Sequence, residues 1–168
     1  MDIFEIFNLS KIMEIKNDNV YLINHPVSIM SPNMLSEIQQ SLITKLGIER
    51  ASKKLYETGK KGFFEFMSEA GKHRNLKNEV DAINFVNKLL TSTGWGNFSV
   101  ENINQGKITV KIQNSFMAKE YDKNSYACDF MVAGFLAGGI SGALKLNYDA
   151  KETKCIASGD FCCEVELY

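Results

Sequence analysis

The sequence predicts an α+β fold with a mostly antiparallel sheet and helices packed on it, from two patterns. Short β-rich runs come in three pairs, each pair joined by turn-forming residues, and four further stretches carry helical periodicity. The two patterns do not alternate as regular βαβ units, so a doubly wound parallel sheet is excluded.

Ile12 to Ile15 and Val20 to Ile23 flank Asn17-Asp18-Asn19, the turn chemistry of a first hairpin, and His25-Pro26 is then expected to break the ladder. Ser31-Pro32 supplies an N-cap and a proline at the first helical position; Leu35, Ile38, Leu42 and Leu46 fall on one face, and Gly47 stops the helix. Ile48 to Ala70 stays helical, with Gly59 and Gly62 predicting a kink or close packing near Phe63, Phe64 and Phe66. Val80, Ile83, Val86, Leu89 and Leu90 mark a third helix ended by Gly94. Phe98 to Ile103 and Lys107 to Gln113 form a second hairpin around Asn104-Gln105-Gly106, apolar and polar residues alternating along its second strand. Asn124 or Ser125 can cap an apolar helix over Ala127 to Leu144, whose Gly134, Gly138 and Gly142 leave one face nearly bare for close packing on a sheet or another helix. Lys151 to Ala157 and Phe161 to Tyr168 form the last hairpin around Ser158-Gly159-Asp160.

At 168 residues the chain fits a single domain, 1–168, large enough to bury about two thirds of its unfolded surface. A net charge of −1, with basic residues interspersed among acidic ones, gives no field for nucleic acid; the Lys53 to Lys77 stretch also carries Glu57, Glu65 and Glu69 and reads as a solvated helix face. The run Phe130 to Leu144 is shorter than the roughly 20 residues of a membrane span. Met1-Asp-Ile-Phe-Glu5 lacks the basic start of a secretory signal, which predicts the cytoplasm and, there, reduced cysteines.

All four cysteines fall in the last 41 residues, Cys128 to Tyr168. With Gly159 at the centre of a three-residue loop, Cys155 and Cys163 become opposed partners on one sheet face, and alternation sends Cys163 to the core and Cys162 to the polar side. Cys128, in the first turn of the apolar helix, is placed where the helix dipole favours thiolate. If that helix packs on the hairpin, three thiolates and Glu152 complete a tetrahedron suited to zinc. Glu152 and Cys155 are three apart, so Glu152 must sit on a bulge or ahead of the strand. The competing readings are small buried hydrophobes, an iron–sulfur cluster, and a Cys155–Cys163 disulfide after oxidation.

Cys128-Asp-Phe-Met-Val-Ala-Gly-Phe-Leu-Ala-Gly-Gly, Glu152-Thr-Lys-Cys155, Ser158-Gly-Asp-Phe-Cys-Cys163 and Gly94-Trp95-Gly96 resemble the 4-vinyl reductase domain signature, most strongly over residues 94 to 168. The resemblance implies the ligand-binding fold shared with nitric-oxide-sensing and Golgi transport-particle domains, often dimeric. It implies a zinc held by Cys128, Glu152, Cys155 and Cys163, as in the sensory regions of phenol- and xylene-responsive activators. It also implies a small-molecule binder rather than a reductase. Because no ATPase or DNA-binding module is attached, a sensed signal would pass through a protein partner or a homodimer interface, for which the glycine face is one route.

No nucleophile–base pair, paired carboxylates or phosphate loop points to an enzyme, and His25 and His73 read as surface histidines. A fully ligated zinc leaves no activated water. The leading function is therefore a sensor or carrier for an apolar or aromatic molecule, with Tyr56, Phe63, Phe64, Phe66 and Trp95 as pocket candidates or plain core. The alternatives are a tetrapyrrole-pathway vinyl reductase or its accessory subunit, and a protein-interaction scaffold.

Overall fold

A computed structural model describes residues 12–168 apart from 75, 77, 105 and 122–125, and only the backbone of His73. The expected caps Asn124 and Ser125, the turn residue Gln105, the first five residues and the His73 side chain lie outside the described residues.

Strands β1 (Met13–Lys16), β2 (Asn19–Leu22) and β3 (His25–Val27) form an antiparallel meander. Asn17 and Asp18 both take positive φ, the geometry of a two-residue hairpin turn. A second such turn at Ile23 and Asn24 folds His25-Pro26 back as β3 instead of breaking the ladder. Pro26 is tolerated there because β3 is an edge strand.

Helix α1 (Pro32–Leu46) starts as expected, the Ser31 hydroxyl accepting from the Met34 N–H at 3.3 Å, and Gly47 ends it at φ 75°. Its apolar stripe is only partly buried. Ser36 and Gln39 face inward, while Ile38 and Leu46 are exposed and Leu35 and Leu42 half-buried. Helix α2 (Ile48–Ala70) runs unbroken through Gly59 and Gly62, so close packing, not a kink, explains Gly59: it lies against the backbone of Met131. Helix α3 (Glu79–Ser92) is capped by the Asn78 side chain and buries Ile83, Val86, Leu89 and Leu90.

The second sheet has the order β4-β5-β7-β6, from β4 (Asn97–Asn104), β5 (Lys107–Gln113), β6 (Ala150–Lys154) and β7 (Cys163–Leu167), every pairing antiparallel. Ile108, Val110, Ile112, Cys163, Val165 and Leu167 are fully buried on one face; on the other, Lys107 pairs with Glu166 at 2.8 Å. Between β5 and β6 lie a one-turn helix α4 (Phe116–Lys119), which no periodicity announced, and α5 (Phe130–Leu144).

Helices α2 and α5 share the largest contact between elements. A β-carbon on Gly134, Gly138 or Gly142 would land on the carbonyl oxygens of Tyr56, Lys60 or Phe64, so the glycine face is what lets α5 lie on the α2 backbone. That face is covered within the chain, which removes it as a route to dimerisation. Among the described residues no helix is long and apolar enough to cross a membrane.

Candidate metal centre and aromatic wall

Helix α5 begins two residues later than Cys128: Phe130 is its first residue and Asp129 its N-cap. Cys128 is therefore outside the first turn, and the dipole argument for its thiolate does not apply. The last hairpin is shorter than expected. β6 ends at Lys154, and Cys155 opens a 3₁₀ turn (Ile156–Ser158) closed by Gly159 at φ 99°. The Cys155 carbonyl accepts from the Ser158 and Asp160 N–H groups, and the Asp160 carboxylate accepts from the Cys155 N–H at 2.9 Å.

This knuckle still brings the cysteines together. The Sγ atoms of Cys155 and Cys163 are 3.9 Å apart, and those of Cys128 and Cys155 are 3.7 Å apart. Zinc–sulfur bonds of about 2.3 Å in a tetrahedron place sulfurs about 3.8 Å apart, so both spacings match a shared metal. The Ile156 N–H also donates to Cys163 Sγ at 3.3 Å.

Glu152 joins them by the bulge that parity requires. It pairs with Val165, but Lys154 pairs with Glu164, so Thr153 is the extra residue that turns Glu152 toward the side of Cys155. The Asp129 N–H donates to Glu152 Oε2 at 2.9 Å. Asp129 itself escaped sequence reasoning. One donor atom from each of Asp129, Glu152, Cys155 and Cys163 lies within 4.8 Å of the others, a set that contains Asp129 in place of Cys128. Its Oδ1 accepts from the Ser115 hydroxyl at 2.8 Å, and its side chain caps nothing. An acidic N-cap type directly before an apolar run was the available signal. Cys162 is only 6% exposed, yet it stands outside this group and outside the apolar core that holds the other three cysteines, close to Lys154 on the polar side.

The electrostatics are those of acidic groups crowded into a buried site without a counter-charge, where all but one are pushed toward their neutral forms. Burial and then Asp129 push the Glu152 carboxyl up to about 10, and burial pushes Asp129 up to about 6. The Cys155 contact and burial raise the Cys128 and Cys163 thiols, while hydrogen bonds from both hold Cys155 far below the usual thiol range. Glu152 Oε1 and Asp129 Oδ2 are buried with no hydrogen-bond partner. Each such orphan costs about 1–3 kcal/mol or more, and a cation removes the penalty of whichever carboxylate ligates it. The residues therefore fit a metal ion.

Of the five pocket candidates, three come together. The Phe63 ring meets Phe66 at 5.5 Å and Phe135 at 5.2 Å; Phe135 meets Trp95 edge-on at 4.7 Å, and Trp95 meets Phe116 at 4.7 Å. His25 is not a surface histidine but sits half-buried against Phe66, ring centroids 5.0 Å apart. Tyr56 and Phe64 are elsewhere. The Tyr56 hydroxyl donates to Asp149 and accepts from the Ala150 N–H, both at 2.9 Å, and Phe64 lies exposed under Lys145. The aromatic wall is tied to the metal centre: the Phe116 N–H donates to the Trp95 carbonyl, and Ser115, which caps α4, holds Asp129.

No protein-family model and no curated protein matches the chain. Solved structures do. The phenol-responsive sensory domain of the transcription activator PoxR, bound to phenol, aligns over 96% of this chain and 87% of its own, with TM-score 0.83 and 16% identity. A trafficking protein particle complex subunit 3 from Naegleria fowleri, covalently bound to palmitic acid, aligns over 81% and 93%, with TM-score 0.63 and 14% identity. A vinyl-4-reductase family protein from Methanocaldococcus jannaschii aligns over 84% and 83%, with TM-score 0.57 and 18% identity. The class of protein this defines is the α+β fold common to these three.

Proposed function

We propose that the chain is a single domain of the 4-vinyl reductase family that binds a small apolar or aromatic molecule, as a sensor or carrier. In this reading a zinc ion held by Cys128, Glu152, Cys155 and Cys163 braces the knuckle against the start of α5. The observation that carries the ligand reading is the wall of Phe63, Phe66, Trp95, Phe116 and Phe135, five rings that are all half-buried where a sealed core would bury them. The phenol and palmitate carried by two structural relatives are ligands of the same apolar class.

Held by Cys128, Glu152, Cys155 and Cys163, zinc would supply charge compensation and a cross-link rather than an activated water, since four protein donors would leave no open position. Asp129 orients Glu152 through its N–H and passes the position of the centre to Ser115 and the wall. Trp95 is the only tryptophan in the chain, so its emission reports directly on the wall. Titration with phenol, toluene and palmitate should shift that emission and raise the melting temperature for at least one of them. If none of the three changes either signal in zinc-loaded protein, the ligand reading fails.

A further inference from the structure

Six polar or charged side chains are buried among the described residues: Ser36, Gln39, Asn87, Ser115, Asp129 and Ser141. Five are bonded within the chain. Ser36 accepts from Gln40, Gln39 donates to Tyr121 and to the Cys128 carbonyl, Ser115 donates to Asp129, and Ser141 accepts from the Tyr148 N–H. Asn87 is the exception. It is 4% exposed, and neither its Nδ2 nor its Oδ1 has a hydrogen-bond partner among the described residues. Its neighbours along α3, Ile83 one turn before and Leu90 one turn after, are buried and apolar, so nothing in the helix accounts for an amide at this position. A buried amide left unpaired destabilises the fold, and a leucine there would carry no such penalty.

Asn87 stands beside the aromatic wall. A β-carbon on Gly139 would meet both Val86 methyl groups and the Phe63 ring, so α3 reaches the wall one residue before Asn87. Three residues after Asn87, the Leu90 carbonyl accepts from the Trp95 N–H at 3.0 Å and holds the backbone of the wall's tryptophan. We infer that Asn87 determines the specificity of the ligand site, and that the molecule taken there carries a carboxamide-type edge, a donor and an acceptor side by side, on an aromatic or apolar body. The inference rests on the ligand reading above. An asparagine amide offers N–H donors on one arm and a carbonyl acceptor on the other, in one plane. A hydrocarbon leaves both arms unpaired in the complex, and a single hydroxyl lies opposite one of them. A second amide pairs with both at once, the two-point geometry by which asparagine reads an adenine edge.

Isothermal titration calorimetry on the full chain as purified tests this with benzamide, phenol and α-methylstyrene, the last an apolar isostere of benzamide. Wild type should bind benzamide at least tenfold more tightly than α-methylstyrene. In Asn87→Leu that ratio should fall to about one, with α-methylstyrene bound as tightly as before or more so. Asn87→Ala, which cannot overpack the helix, should show the same loss of preference. Without added ligand, at least one of the two variants should melt no lower than wild type, because the amide removed is an unpaired one. Both variants melting lower would assign Asn87 a bond in the free protein and overturn the inference. Binding of α-methylstyrene or phenol without a preference for benzamide, or a benzamide preference that survives both substitutions, would overturn the role of Asn87 and leave the apolar-ligand reading standing. Binding of none of the three would overturn this inference, while the separate titration with phenol, toluene and palmitate decides the ligand reading itself.

Discussion

At the scale of single residues, the centre turns on where five side chains put their electron pairs. Cys155 and Cys163 were legible in the sequence because a glycine-centred turn fixes which residues oppose each other. Glu152 was legible only as a demand for a bulge, which the register shift before Lys154 supplies. Asp129 was not legible, since its place depends on the helix starting at Phe130, a boundary that periodicity leaves loose. The sulfur spacings favour Cys128 as the third thiolate, whereas the tight carboxylate–sulfur set offers Asp129 instead. Metal analysis of variants separates the two. Cys128→Ser, Cys155→Ser and Cys163→Ser should each lose most of the metal, while Cys162→Ser and Asp129→Asn keep it. Loss from Asp129→Asn with retention in Cys128→Ser would reverse the assignment.

At the scale of elements, the α2–α5 pair is the part of the fold that glycine spacing announced most directly. What the sequence left open was the partner, sheet or helix, because a bare face fits either; the carbonyls of Tyr56, Lys60 and Phe64 decide it. Gly138→Val should cost about 3 kcal/mol, overpacking a contact in which the obstruction is backbone and cannot rotate away, and lower the melting temperature by about 6–12 °C. Gly62→Ala, where an added β-carbon meets nothing within 4 Å, should leave it equal or slightly higher. Equal losses at the two sites would show that the α2–α5 contact does not set the cost. Helix α1 illustrates the opposite limit. Periodicity found its apolar stripe, but only the tertiary bond from Gln39 to Cys128 shows that the helix is turned so that Ile38 and Leu46 stay exposed.

At the scale of the whole molecule, the candidate metal site, α4, the aromatic wall and α1 form one connected body. Ser115 and Gln39 each reach the Cys128-Asp129 segment from a different side. Zinc removal should therefore lower the melting temperature of the whole domain and shift Trp95 emission, not merely loosen the terminal hairpin, because metal affinity adds to folding free energy. Most of the elements were legible in the sequence; the wall was not, since Phe116 and Phe135 approach Trp95 only after α4 and α5 are placed. The measurement that bears most directly on the account is the zinc content of freshly purified, fully reduced protein that has never met a chelator, by native mass spectrometry with elemental analysis. One zinc ion per chain is the expected result; chains that carry no zinc under those conditions would contradict the zinc assignment.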